Sequence, residues 1–333
     1  MKTPSGDLLP LLPALTLAGT YRGVMMTSVD AQYPRPDHFL VHLSDTHFVS
    51  EGLLYGDVDA EARLADVFAA IHASGLRPEA FLFTGDLADK GEPEAYRKLR
   101  TAAESAAAMV QARLIWVVGN HDNRRHIRSL LLDEEADDAP LDRRYDLGGL
   151  RVLVLDSSVP GFHHGEVSEE QLRWLAAELQ SPAPDGTLLV LHHPPIPSVQ
   201  DLAAVTELRN QSGLARVVEG SDVVGILAGH LHFSVSSIFA SVPVSVASST
   251  CYTQDLVVPH NGVQGRDGAQ TFNFVHVHGR TVVNSVVTLG SYPPVGAYVS
   301  AEETRRRLSS AGIHIPGAPG RPRASLAESG TCR

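Results

Sequence analysis

The 333-residue chain has only two cysteines, Cys251 and Cys332, far apart and without Cys-x-x-Cys spacing. That scarcity excludes a disulfide framework and a structural zinc ribbon, and it fits a reducing cytoplasm, the expected location. A bilayer-spanning run is lacking as well. Residues 8–18 are apolar, but Pro10 and Pro13 interrupt them and the stretch is much too short to cross. With Lys2 before it and Ala18-Gly19 after it, the same stretch has the outline of a weak signal segment. Met25 and Met26 suggest instead that residues 1–24 extend from an upstream start. Positive charge is also scarce. A formal net charge of −11 provides no basic footprint for general nucleic-acid binding, so no specific nucleic-acid partner is expected. An anionic substrate is still allowed, because bound metal ions supply local positive charge.

The chain does have short apolar runs, at 39–43, 81–84, 114–118, 188–191 and 223–227, bounded by Gly or Pro and rich in β-branched or aromatic residues. They read as buried strands. Just past their ends stand Asp45, His47, Asp86, Asn120, His192, His230 and His232. In an open α/β sheet ligands bind outside the carboxyl ends of the strands, so five strands would deliver these donors to one edge. Carboxylate, amide and imidazole donors without a thiolate suit Mn, Fe, Zn or similar ions. Seven donors exceed one tetrahedral site and fit two ions about 3.5–4 Å apart, an arrangement that hydrolyses phosphate esters. Asp86 is the natural bridge, since a carboxylate offers several lone pairs and a neutral imidazole one. His42, inside its run, reads as a core histidine.

Between the strands, residues 59–74 place Leu64, Val67, Phe68 and Ile71 on one helical face, with Gly75 as the stop. Ser168 and Gln171 form a capping box before the stripe Leu172, Leu175 and Leu179, with Trp174 packing beside it. The alternation predicts an α/β fold, and periodicity leaves one sheet or two open. Strands at 242–247, 272–277 and 281–287 look like a second sheet. A hydrophobic fraction of 43% supports a substantial core. Residues 1–35 are expected to be a poorly ordered extension, 36–300 the catalytic domain, and 301–333 a helix (301–311) and flexible tail. That tail, rich in Pro, Gly, Arg and Ser, offers at most a peripheral surface contact.

The ordered series Asp45-Thr46-His47, Gly85-Asp86-Leu87-Ala88-Asp89, Gly119-Asn120-His121-Asp122, His192 and Gly229-His230-Leu231-His232 resembles the calcineurin-like metallophosphoesterases. More narrowly, Leu54-Tyr55-Gly56, residues 85–100, Ser158-Val159-Pro160-Gly161, 192–199 and 245–256 resemble the class III cyclic nucleotide phosphodiesterases of mycobacteria. The resemblance implies a four-layer αββα sandwich of two mixed β-sheets flanked by helices. It assigns Asp45, His47 and His232 to a first ion, Asn120, His192 and His230 to a second, and Asp86 to both. Fe with Mn is implied, with Zn or Co as substitutes, and a homodimer. The implied reaction is hydrolysis of 3′,5′-cyclic AMP, and of cyclic GMP, to the 5′-nucleotide by a metal-bridged hydroxide. His121 would assist the leaving oxygen and Asp89 would orient His121; the plainer role for Asp89 is a helix cap. His47, Asp86, Asn120, His121, His232 and His163 would meet substrate. His163 and His164 read equally well as surface-loop residues, Asn123 and Tyr252 as turn or core, and His193 as a support beside His192. The departures at Lys90 and Asp122, where the superfamily's protein phosphatases usually carry Arg and Glu, weaken a phosphoprotein phosphatase reading. The rival functions are a broad phosphodiesterase or nuclease acting on 2′,3′-cyclic nucleotides or linear diesters, and a non-catalytic scaffold.

Overall fold

The site-bearing runs become strands with both faces covered, which is why they read as unbroken apolar stretches. A computed structural model of the protein describes residues 28–317. In chain order the strands of its two large sheets are β1 (His38–Leu43), β2 (Ala80–Phe83), β3 (Arg113–Trp116), β4 (Arg143–Leu147), β5 (Leu150–Val154), β6 (Thr187–Val190), β7 (Val223–Ala228), β8 (Val235–Phe239), β9 (Val242–Val246), β10 (Thr271–His278) and β11 (Thr281–Thr288). The first sheet has the order β11-β10-β1-β2-β3, parallel from β1 to β3 and antiparallel at β10 and β11. The second has the order β8-β9-β7-β6-β5-β4, with a parallel centre and an antiparallel strand at each edge.

Two expectations are corrected here. The five site-bearing strands do not share one sheet edge: β1, β2 and β3 belong to the first sheet, β6 and β7 to the second. The late strands do not make the second sheet either, because β9 pairs with β7 whereas β10 pairs with β1. Alternation along a strand specifies which faces are buried and not which neighbour covers them, so sequence spacing could not assign these partners.

Successive side chains point to opposite faces, and this builds the layers. From the first sheet Val41, Leu43, Phe81, Phe83 and Trp116 pack under helices α1 (Ala60–Ser74), α2 (Pro93–Val110) and α3 (Arg124–Leu131). From the second, Leu153, Leu189 and Ile226 pack under α4 (Glu169–Glu178) and α5 (Gln211–Val218). The alternate residues Leu40, Leu82 and Ile115 meet Val152, Leu188 and Leu227 in the layer between the sheets. The result is the four-layer αββα sandwich. Asp59 starts α1 by accepting from the Ala62 N–H at 3.0 Å, Gly75 ends it at φ 70°, and the Ser168/Gln171 capping box starts α4.

The layers lie in a compact unit spanning Tyr33–Gly296. A separate small unit pairs Val29–Asp30 with Ile313–His314 and carries α6 (Ala301–Ser310), started by the Ser300 hydroxyl. Thus the two terminal segments, read as separate pieces from sequence, contribute to one unit. The expectations for residues 1–27 and for most of the basic tail, 318–333, lie outside the described residues. Among the described residues no helix is long and apolar enough to cross a membrane.

Candidate metal centre

Asp45 and His47 follow β1, Asp86 follows β2, Asn120 and His121 follow β3, His192 follows β6, and His230 and His232 follow β7. The carboxyl ends of both sheets therefore converge on one place. Close backbone approach makes this possible at two glycines. A Cβ on Gly119 would lie 2.2 Å from both the Asp86 nitrogen and Oδ1, and one on Gly229 would lie 1.8 Å from Ser44 Oγ.

Four histidines share one hydrogen-bonding logic. His47 Nδ1 donates to Asp89 Oδ1 at 3.1 Å, His192 Nδ1 to the Thr84 carbonyl at 2.7 Å, His232 Nδ1 to the Tyr252 carbonyl at 3.0 Å, and His230 Nε2 to the Thr206 carbonyl at 3.1 Å. Those partners only accept, so each ring's outward nitrogen carries the proton and the inward nitrogen is left for a cation. The inward nitrogens meet in pairs, His47 Nε2 to His232 Nε2 and His230 Nδ1 to His192 Nε2, each at 3.2 Å. Two facing lone pairs at that distance require positive charge between them. Asp86 Oδ2 lies between the pairs, 3.5 Å from His47 Nε2 and 3.4 Å from His192 Nε2, while its Oδ1 accepts from the His121 N–H at 2.9 Å. Asp45 Oδ1 is buried 3.4 Å from His232 Nε2, without a hydrogen-bond partner among the described residues, and Asn120 Oδ1 sits 3.1 Å from His192 Nε2.

The electrostatics point the same way. Burial opposes ionisation of Asp45, but His232 and His192 hold its carboxyl down to about 2. Burial alone would lower His192, yet the Asp86 carboxylate lifts it to about 9, while burial reinforced by His192 pushes His230 down to about 3. His232 is raised against burial by Asp45, and its partner His47 is lowered by burial. One ring of each facing pair thus attracts a positive charge that a cation can replace. The seven residues fit a two-ion site, with Asp45, His47, Asp86 and His232 forming one tight donor group. His193 stays outside it, since its Nδ1 meets Ser157 Oγ at 2.9 Å and its Nε2 donates to the His163 carbonyl at 3.1 Å. Cys251 lies near His47 and His232, but its thiol, pushed up by burial, meets Ser249 Oγ at 3.0 Å.

The remaining candidates separate. His121 lines the cavity over the centre, and its Nδ1 donates to the backbone carbonyl of Asp89 at 2.7 Å. Asp89 thus orients His121, but through its backbone carbonyl: its carboxylate stands 3.9 Å from His121 and accepts from His47 at 3.1 Å and from the Tyr55 hydroxyl at 3.0 Å. Adjacency in a motif does not say which part of a turning residue faces which ring. Asp89 is no helix cap, as Glu92 occupies that position of α2. His163 lines the same cavity and pairs with Asn120 Nδ2 at 3.0 Å, whereas His164 is buried beside Phe162. Asn123 caps α3, and Tyr252 lies against His232 on the cavity wall.

Sequence reasoning did not single out Gln200, Thr206 or Gln254, which also line this cavity. No motif marks them; only the approach of residues 200–206 and 252–254 to the ligand loops brings them in. Asp122 was noted only as a departure, yet its carboxylate gathers the Gly119, Leu87 and Ala88 N–H groups and the Tyr96 hydroxyl, fixing the Asp86 and Asn120 loops to each other. Burial and the Asp86 charge raise it to about 6.

Residues 40–234 match the calcineurin-like phosphoesterase family model. The chain is 60% identical over 290 residues to a probable cyclic nucleotide phosphodiesterase of Rhodococcus erythropolis, covering 87% of this chain and 96% of that one. It is 57% identical over 286 residues to a cAMP/cGMP dual specificity phosphodiesterase of Mycobacterium tuberculosis, covering 86% and 90%. Among solved structures, a dimetal phosphatase from Danio rerio superposes with a TM-score of 0.52 at 14% identity, covering 76% of this chain and 99% of that one, a likeness of fold alone.

Proposed function

The chain belongs to the calcineurin-like phosphoesterases, and from that premise we propose that it is a two-metal phosphodiesterase that hydrolyses 3′,5′-cyclic AMP, and cyclic GMP, to the 5′-nucleotide. The observation that carries the hydrolase reading is the pairwise meeting of inward imidazole nitrogens on either side of Asp86. The choice of cyclic nucleotide rests on the two relatives at 60% and 57% identity.

In this reading Asp45, His47 and His232 hold one ion, Asn120, His192 and His230 the other, and Asp86 both. The mixed oxygen and nitrogen set suits Fe with Mn, and accommodates Zn or Co. Bound ions lower the pKa of a water and polarise the phosphoryl oxygens. The protein's part is to place the diester. His121 acts from its imidazolium form: the Nδ1–H stays on the Asp89 carbonyl while the Nε2 proton passes to the leaving oxygen, which leaves a neutral ring. His163 fixes the Asn120 carboxamide through its NH₂ group, so the amide oxygen stays turned toward His192. The ring of His163 then stands beside His121, centroids 5.4 Å apart, where a bound phosphate meets both. Buried, unpaired Cys251 is compatible with a reducing cytoplasm. A homodimer belongs to the same proposal, supported by the exposed apolar side chains of Leu256 and Val257.

The test is a substrate panel on Mn-loaded, metal-quantified protein, with the product identified. Cyclic AMP should give 5′-AMP with higher kcat/KM than 2′,3′-cyclic nucleotides, glycerophosphodiesters or single-stranded DNA. Asp86→Ala should lose both bound metal and rate. Unchanged metal and rate in that variant, or no turnover of any diester, would overturn the proposal.

A further inference from the structure

The cavity over the metal centre, about 200 Å³, is open to solvent, and part of its wall has no role in holding ions. On that wall are two carboxamides, Gln200 and Gln254. Gln200 Nε2 and Gln254 Oε1 are shielded from water and have no hydrogen-bond partner among the described residues. Gln200 occupies the N-cap position of the 3-10 turn Asp201–Val205, yet its side chain does not cap. Buried polar groups left unpaired are rare and costly, so both amides gain by turning toward a partner that arrives with the ligand.

Both residues are placed by the metal-ligand loops. The turn that follows Gln200 ends at Thr206, whose carbonyl accepts from His230. The Gln254 N–H donates to the His232 carbonyl at 3.1 Å. Between them the wall is apolar, with Leu202, Ala203 and Val263, and the Tyr252 ring joins it. A phosphodiester held at the ions leaves its base to fill this remaining wall, where flat apolar contact and a polar edge are both available.

We propose that Gln200 and Gln254 recognise the purine of the substrate through its 6-substituent and so determine base specificity. This rests on the cyclic nucleotide reading above. Adenine carries an amino donor at that position and guanine a carbonyl acceptor, each beside the N7 acceptor. A carboxamide holds both an acceptor oxygen and a donor NH₂, and a half-turn exchanges them. Two such amides accept adenine in one orientation and guanine in the other. A carboxylate or an ammonium in the same place would fix one sign and favour one base.

The experiment uses the full, Mn-loaded chain with Gln200→Met, Gln254→Met and the double variant. Each is assayed on cyclic AMP, cyclic GMP and bis(p-nitrophenyl) phosphate, a diester without a purine. Each single substitution should lower the ratio of kcat/KM for either cyclic nucleotide to that for bis(p-nitrophenyl) phosphate by about tenfold, mainly through KM, the scale of one hydrogen bond in a shielded site. Ratios equal to wild type in the double variant overturn the inference, and so does a fall in all three substrates together, the mark of a structural role. A second measurement needs no variant. The wild-type enzyme should hydrolyse the 3′,5′-cyclic monophosphate of purine riboside, which lacks the 6-substituent, about tenfold less efficiently than cyclic AMP, and equal efficiency overturns the inference. Wild-type turnover of bis(p-nitrophenyl) phosphate with none of either cyclic nucleotide would instead remove the cyclic nucleotide reading itself, and base recognition with it.

Discussion

Asp45, His47, Asp86, His230 and His232 all hold positive φ, from 43° to 73°. For residues other than glycine that region costs on the order of 1–3 kcal/mol each, and it persists only where surrounding bonds determine it. Here they do: the His47 N–H donates to the Asp86 carbonyl at 2.9 Å, and the His230 N–H donates to Asp45 Oδ2 at 3.0 Å. Outer contacts of this kind also tune the ligands themselves. Asp89 should act through His47, since its carboxylate holds that ring's outward proton. Asp89→Ala is therefore expected to weaken metal binding by about 10–100-fold, measured by chelator competition. Full metal affinity with a reduced rate would place the Asp89 carboxylate behind His121 after all. The donor identities at this scale were legible in the sequence, because Asp, Asn and His after apolar runs announce their chemistry by type. The direction of Asp89 was not. Which ring a carboxylate faces depends on backbone torsions in a turn, and neither spacing nor residue type encodes them.

At the scale of elements, the strands and the two capped helices were legible because burial periodicity and cap chemistry are local. Sheet membership was not, since it is decided by contacts between segments far apart in the chain. Arg151 in β5 shows how such contacts hold the second sheet. Its side chain is 2% exposed, and its guanidinium donates to Asp222 at 2.8 and 3.0 Å, to Thr187 Oγ1 at 2.9 Å and to the Ser181 carbonyl at 2.9 Å. One residue thereby joins β5, the start of β6, the approach to β7 and the segment after α4. Arg151→Met should destabilise the protein by about 3–5 kcal/mol, because it leaves the Asp222 carboxylate buried beside an apolar chain. Equilibrium urea unfolding of metal-free protein would measure this. A loss within error of zero would mean that the surrounding N–H groups suffice for Asp222, including that of Ala183 at 2.7 Å.

At the scale of the whole sandwich, the two sheets meet through the apolar layer and, at the amino ends of β1 to β3, through polar contacts, among them Arg113 Nη1 donating to the Asp146 carbonyl at 3.2 Å and a histidine at the start of β1. His38 is buried, with Nδ1 3.1 Å from Glu79 Oε2 beside β2 and Nε2 3.1 Å from Asp185 Oδ2 beside β6. Both partners are carboxylates, so both ring nitrogens donate and the ring is an imidazolium. Burial opposes that charge, but the bonds and charges of Glu79 and Asp185 outweigh it and raise the pKa above 6.5. A group raised on folding stabilises fully below its unfolded pKa, about 6.5, and the contribution disappears as pH rises through the folded value. The unfolding midpoint of the wild type should therefore fall between about pH 6 and pH 9 more than that of His38→Gln, which has no proton to lose there. Comparing the two proteins, rather than following one, cancels the titration of the metal-site histidines common to both. Parallel curves would show that the ring is neutral in the folded protein and that its charge does not help to hold the sheets together at this end. A steeper fall in the wild type would place one pH-sensitive joint at the far end of β1 from the catalytic centre, so that alkaline loosening of the sandwich and loss of activity become separable events.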